Sequence, residues 1–570
     1  KEYQQAVEIL EEAVRLDPHC AEAHYRLGEA QDAVGNPQAA REHFRQALQE
    51  TPDQPTYLRA LGRLVRRMAS QTVVQERDKP TESVLAVLDV EEGVRALEEA
   101  VALEPNEADD QHELGLLALL KGDHQAALQR FEHAVQLAPE EALYHLSLGR
   151  LYRLLGRFEE SVKTLKRATT LNPRGAEAWH QMGIAYRLLG RAEDAIAAFR
   201  EAIALCPDTA SYHQALAQAL ASAGQTQEAI VSLEEAIRLS PNEAGWHHHL
   251  GQLYFKEGRF QSALQALLQA AELEPGEPKH WVWAARTYRQ LRRLGPAAEH
   301  LEKALHLCPE QASWHAELAE IFHQMGEEEK ALAAYAQARE LDPENLDYAL
   351  NHTHALMGLG RWSEAESELT RLLEEWPQEV KVLMALSLAL EGQGRLREAV
   401  EQVQRAIGVE PGSAALRIQL ASLKRQLGEI DEAHAILERV LEEDPEEAGA
   451  YVEMARLFVA EDRVDEALQA YQQAVALMER SSSLRQEVGE LCRRLGYLDQ
   501  AVGHFSKMVE LDPNLAVGHA ELGKTYELLE QFDKALEAYR TAIQLEPGVA
   551  EHHYRAGLMH KHLKEYPEAL

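Results

Sequence analysis

The sequence predicts an all-α protein, an α-solenoid of helix-turn-helix units, and three observations carry that prediction. Prolines stand at Pro105, Pro139, Pro173, Pro207, Pro241, Pro275, Pro309, Pro343, Pro377, Pro411 and Pro445, each 34 residues after the last. Between them, apolar and small residues recur at three- and four-residue steps, which is the helical period. With the proline numbered 32 in each unit, position 20 is Ala in 15 of 17 occurrences and position 27 in 13 of 16. Two short helices cannot bury their apolar faces alone, whereas stacked copies share one continuous core.

The elements follow in order. Lys1 falls at position 15, the start of a second helix, and Pro18 and Pro52 mark the first two units. The step from Pro52 to Pro105 is 53 residues, which is 34 plus an insertion of 19 at about 70–88. Its polar half, QTVVQERDKPTES, and its apolar half, VLAVL, read as a long loop between the two helices of one unit. From there the pattern is regular. Between Pro173 and Pro207, GAEAWHQMGIAYRLLG forms a first helix closed by Gly190, RAE makes the turn, and DAIAAFREAIALCP forms the second helix. Glu479 takes the place of the proline once, and the series resumes at Pro513 and Pro547. Leu570 falls at position 21, in the middle of a second helix. The chain is therefore expected to be one solenoid of about 16 units over 1–570, partial at each end and excerpted from a longer protein.

Composition narrows the function classes. Asp and Glu number 94 against 58 Lys and Arg, a formal charge of −36 over 570 residues. That excess opposes nucleic acid, whose phosphates require basic surface. No apolar run approaches the roughly 18 residues of a membrane helix, and the four cysteines are no disulfide framework. Cys206 and Cys308 share position 31 three units apart, beyond disulfide reach. A cytoplasmic setting, without membrane insertion, is the expectation.

Trp179, Gly183, Tyr186, Ala195, Phe199, Ala202 and Pro207 occupy positions 4, 8, 11, 20, 24, 27 and 32. That pattern resembles the tetratricopeptide repeat (TPR). The resemblance implies a right-handed superhelix whose first helices line a concave groove, with positions 2, 5, 9 and 12 pointing into it. It implies a protein-interaction scaffold, with a protein or peptide partner. Two subtypes of the family are set aside. The carboxylate-clamp type needs Lys at position 5 and Asn at position 9, and no unit has either. The asparagine ladder at position 6 is represented by Asn351 alone, among residues such as Glu113, Gln181 and Trp283.

The candidate partner-binding residues are those the resemblance places in the groove. Positions 9 and 12 hold twelve basic residues: Arg63, Arg66, Arg150, Arg153, Arg187, Arg286, Arg289, Arg425, Arg456, Arg493, Lys524 and Lys561. Six acidic residues share those positions, so the ratio is 12:6 there against 58:94 overall. A basic groove in an acidic chain would attract an acidic segment; equally, Tyr-Arg at positions 11 and 12 is a family habit. Apolar stretches interrupt the basic ones, with Leu116, Leu119, Leu143 and Leu146 in one and Leu350, Met357, Met384, Leu388 and Ile418 in another. They read either as anchors for a peptide or as ordinary variation.

Enzymatic chemistry finds little support. His247, His248 and His249 cannot converge on one metal ion, because adjacent helical residues point about 100° apart. His24, His145, His213, His247, His315, His519 and His553 all sit at position 4, where packing between helices is expected. No P-loop, dinucleotide fingerprint or nucleophile elbow is present, and neither catalytic residues nor a cofactor is expected. The alternative to a free-standing scaffold is a sensor or regulatory arm of a larger effector, such as a signalling ATPase or a protease, with its catalytic domain outside this sequence.

Overall fold

The computed structural model describes residues 2–75 and 83–563, and within them finds 32 helices and no strand. The chain divides into two compact units, Lys1–Pro309 and Glu310–Leu570. Each is a stack of helix pairs. In the first, Ala176–Leu188 packs on Ala192–Leu205, which packs on the next first helix, Ala210–Ser222. Consecutive first helices also touch, as Ala142–Leu154 does with Ala176–Leu188. The second unit repeats the scheme, with Leu346–Gly358 against Val380–Gly392 and Ala414–Gln426 against Ala448–Ala460. Within each unit the first helices thus form one layer and the second helices another.

Small side chains explain the close packing within a pair. Ala195, Phe199 and Ala202 on one second helix are fully buried. Opposite Phe199 stands Gly183, where an added Cβ would lie 2.6 Å from Phe199 Cε1. The same meeting recurs between Gly115 and Phe131, with 2.5 Å left for a Cβ. Nothing larger than hydrogen fits there, because the ring occupies the space a methyl would need. Where position 27 departs from Ala, Leu372, Val440 and Met508 are still buried, so the larger side chains join the core.

A left-handed residue at position 15 ends most first helices. Gly190, at φ +74°, lets its own N–H donate to the Arg187 carbonyl at 3.0 Å and the Arg191 N–H donate to the Tyr186 carbonyl at 2.9 Å. Carbonyls left over at the helix end are thereby satisfied. Three units hold this left-handed conformation with a side chain in place of Gly: Arg292 at φ 57°, Asp462 at φ 62° and Glu530 at φ 57°.

The insertion departs from the loop expected at 70–88. Helices Pro55–Gln75 and Ser83–Leu103, 21 residues each against 13 or 14 in the later pairs, run into it from both sides. Residues 70–75 and 83–88, VLAVL among them, are therefore helical. Position 15 of this unit is Ala69, and no Gly or Pro follows until Pro80, so nothing stops the first helix at its usual place. The middle of the insertion, 76–82, lies outside the described residues.

Position 4 joins successive pairs. The imidazole Nε2 of His24, His145, His213, His247, His519 and His553 lies 2.7–3.0 Å from the carbonyl of the proline six residues earlier. Trp179 and Trp281 donate their indole N–H to Pro173 and Pro275 in the same way, at 3.1 and 3.0 Å. These rings are donors to a turn carbonyl as well as packing groups, a role the expectation of simple packing lacks.

Side chains at positive φ cost roughly 1 kcal/mol each. Arg292→Gly and Glu530→Gly should each raise the free energy of unfolding by about 0.5 kcal/mol, the remainder being offset by the freer unfolded chain. Gly190→Ala should lower it by about 1 kcal/mol. Urea unfolding checks the set, and opposite signs would contradict the account of the turn.

Candidate functional site

The arginines of the first-helix layer are mostly engaged with the neighbouring repeat. Arg66 reaches Glu113 at 2.5 Å, Arg425 reaches Glu453 at 2.6 Å, and Arg456 reaches Glu487 at 2.8 Å. Arg493 approaches Glu521 to 2.5 Å as an ion pair, too poorly aligned for a hydrogen bond. Arg63 lies 3.4 Å from Asp109. Lys524 pairs within its own helix with Glu521 at 2.6 Å. The pairing has a register. A residue at position 12 meets position 6 of the following first helix, as in Arg66–Glu113, Arg425–Glu453 and Arg493–Glu521. It also runs reversed, with Arg555 on Glu527 at 3.0 Å, or between neutral and charged groups, with Gln419 donating to Glu391 at 3.0 Å.

These rungs engage five of the twelve basic residues expected at positions 9 and 12. Arg63, Arg66, Arg425, Arg456 and Arg493 are paired, because acidic residues at positions 2 and 6 face them across the repeat boundary. Counting two positions by composition misses the partner on the next helix. The signal was present in the sequence, since Glu113, Glu453, Glu487 and Glu521 all share position 6.

A different arrangement holds at Arg150, Arg153 and Arg187. Arg150 is exposed, and the other two are half-buried. Arg153 donates to the neutral Gln181 amide at 3.2 Å. Burial, and after it the Arg150 guanidinium, push Arg153 below the usual arginine range. The Nε of Arg187 is buried without a hydrogen-bond partner. Glu177 is the carboxylate beside Arg150 and Arg153. It accepts from Gln181 at 2.8 Å and from the Tyr212 hydroxyl at 3.3 Å, and His180 above all holds it down to about 2.

Further along the same layer, Phe255 and Trp283 meet edge to face at 5.5 Å, and the Arg286 guanidinium lies over the Trp283 ring at 5.6 Å. The apolar residues divide. Leu116, Leu119 and Met384 are partly buried against the core, and Leu143 and Leu388 are exposed. Met357, at 7% exposure, and Leu350, at 5%, belong to the core. Met357 is thus corrected from groove anchor to core residue, because helix Leu346–Gly358 turns that side chain toward its neighbours.

The histidine run goes three ways. His247 turns to the Pro241 carbonyl, His248 places Nδ1 2.9 Å from Nδ1 of His280, and His249 is half-buried. His248 and His280 are both buried, and one ring must donate to the other, so neither readily accepts a second proton. Burial pushes His248 down to about 4 and is also the largest cause lowering His280; Glu274 opposes the fall at His280, and Lys279 adds to it at both rings. Among the described residues no cluster of three His, Cys, Asp or Glu side chains is arranged to hold a metal, and no helix is long and apolar enough to cross a membrane.

Glu453 is buried, its side chain 3% exposed, between Arg425 and Arg456. Arg425→Met should cost about 2 kcal/mol in urea unfolding, and adding Glu453→Gln should recover part of it, because the loss is that of an under-compensated buried charge. For the histidine pair, the folded state favours neutral rings against an unfolded value of about 6.5. Their contribution is complete above about 6.5 and is lost as pH falls toward the folded value of about 4. The urea midpoint should drop between pH 7 and pH 4.5, and by less in the double variant His248→Leu, His280→Leu.

Profiles described as tetratricopeptide repeat match residues 1–64, 83–142, 140–208, 174–242, 220–286, 283–345, 350–414, 390–457, 424–484 and 516–549. Comparison with curated proteins gives no match. Among solved structures, a MamA protein is 23% identical, with 30% of this chain and 94% of that one covered and a TM-score of 0.29. YrrB, described as a TPR protein with an unusual peptide-binding site, is 22% identical over 35% of this chain and 100% of its own, at a TM-score of 0.31. Yeast Tom70 is 16% identical over 81% and 96%, at 0.41. Scores this low lend nothing to a functional argument, whereas the profiles and the 34-residue register coincide along the chain. The protein belongs to the tetratricopeptide repeat family.

Proposed function

We propose that the chain is a non-catalytic protein-interaction scaffold whose first-helix layer forms a concave, partly basic groove for a peptide segment or domain of a partner protein. One observation carries the reading. From Ala142 to Gln290 the positions 9 and 12 of successive first helices present Arg150, Arg153, Arg187, Gln218, Gln252, Phe255, Arg286 and Arg289, with Ile184 and Ala221 between them, all half-buried or exposed. A strip of donors and aromatic faces repeated once per helix pair suits an extended segment that crosses the helices. The net charge of −36 opposes nucleic acid as the occupant.

The test compares the two layers. Peptides selected from a random library on the intact chain should lose at least about tenfold in affinity when Arg286 and Arg289 are both replaced by Glu, as expected for central arginines. The same exchange at Lys163 and Lys166, exposed on a second helix, should change affinity by no more than about twofold. Equal losses would mean that net charge, and not the first-helix layer, governs binding.

A further inference from the structure

Resting on the reading of the first-helix layer as a partner-binding surface, we infer that Arg150, Arg153 and Arg187 form its anionic anchor point, taking an acidic segment of the partner. The segment's carboxylates occupy the place that the following repeat's carboxylate occupies elsewhere. Arg66, Arg425 and Arg493 each have a glutamate at position 6 of the next first helix: Glu113, Glu453 and Glu521. The residues in the same register for Arg153 and Arg187 are Gln181 and Ala215. Gln181 offers Arg153 one neutral acceptor at 3.2 Å, and Ala215 has none to offer.

Two consequences point to a ligand. The buried Nε of Arg187 lacks an acceptor, and a buried donor without one is costly until something supplies it. Arg150 and Arg153 lie one turn apart on one helix, close enough for the first to disfavour the second's charge. Glu177 draws Arg150 electrostatically but makes no ion pair with it, being held by Gln181 and Tyr212. Arg150 and Arg153 therefore share one carboxylate that is already occupied, and Arg187 stands on the next first helix with an unfilled donor. Their forked donors suit carboxylate pairs, and the half-burial of Arg153 and Arg187 removes competing water. A phosphorylated side chain presents the same anionic oxygens, so the experiment must separate the two sources.

Fluorescence anisotropy on the intact chain would use three dodecapeptides of one framework, carrying Glu, phosphoserine or Gln at alternate positions. The Glu peptide is expected to bind at least about tenfold more tightly than the Gln peptide, the scale of one charge-assisted contact. Gln181→Glu with Ala215→Glu builds the missing rungs into the protein. That double variant should lose about tenfold toward the Glu peptide while its circular dichroism remains that of the folded, helical chain; Ala215→Gln, which adds bulk without charge, should keep binding within about threefold. Should the double variant not fold, Arg187→Gln serves instead, with a loss of similar size expected. Unchanged affinity in a folded double variant overturns the anchor. A stronger grip on phosphoserine than on Glu, lost in the same variant, overturns the carboxylate source. If the Glu and Gln peptides bind alike while library-selected peptides still depend on Arg286 and Arg289, the anchor falls and the scaffold reading stands.

Discussion

Everything in this protein hangs on how closely two helices of a pair approach. The contact between Gly183 and Phe199 leaves no room for a β-carbon, and Ala195 and Ala202 flank the ring on its own helix. Helices packed on such small residues approach toward the lower end of the usual ~8–10 Å. The spacing then repeats because the residues repeat. A larger side chain at position 8 would separate the pair and shift the next one with it, since each repeat is placed only by its neighbours.

The polar chemistry of the first-helix layer is a consequence of that spacing. With consecutive first helices in contact, position 12 of one falls opposite position 6 of the next, and charges there meet whatever the following repeat supplies. Glu453 shows the strong form, a buried carboxylate shared by Arg425 and Arg456. Such a group adds little net stability beyond its own desolvation, but it makes register expensive to change. Gln181 and Ala215 show the open form, where arginines are left with donors to spare. Charge available to a partner is thus a property of repeat pairs, and a single repeat does not reveal it.

Histidine at position 4 belongs to the same logic. The inter-repeat turn leaves a proline carbonyl exposed to the next helix, and His145 or Trp179 closes it with a ring N–H. One side chain fills space and satisfies an acceptor, which is why both ring types serve. The buried pair His248 and His280 is a separate case, where two rings satisfy each other and must stay largely neutral.

The proline register, the alanines at positions 20 and 27 and the glycine at position 15 were enough to specify a two-helix repeat and its stacking, because each acts within one repeat or between adjacent ones. The candidate surface was legible as a set of positions, and Arg150, Arg153 and Arg187 were among them. Their distinction from Arg66, Arg425 and Arg493 was not, because it depends on which side chain the next helix brings within about 3 Å. The same holds for Met357, whose position suggested the groove and whose packing put it in the core. At the insertion, length alone suggested a loop, while the missing glycine at Ala69 let the helix run on to Gln75. Local periodicity determines where helices begin, end and turn their apolar faces; pairing of charges and partition of a half-buried side chain between core and surface are settled by contacts distant in sequence, and only the tertiary structure brings those together.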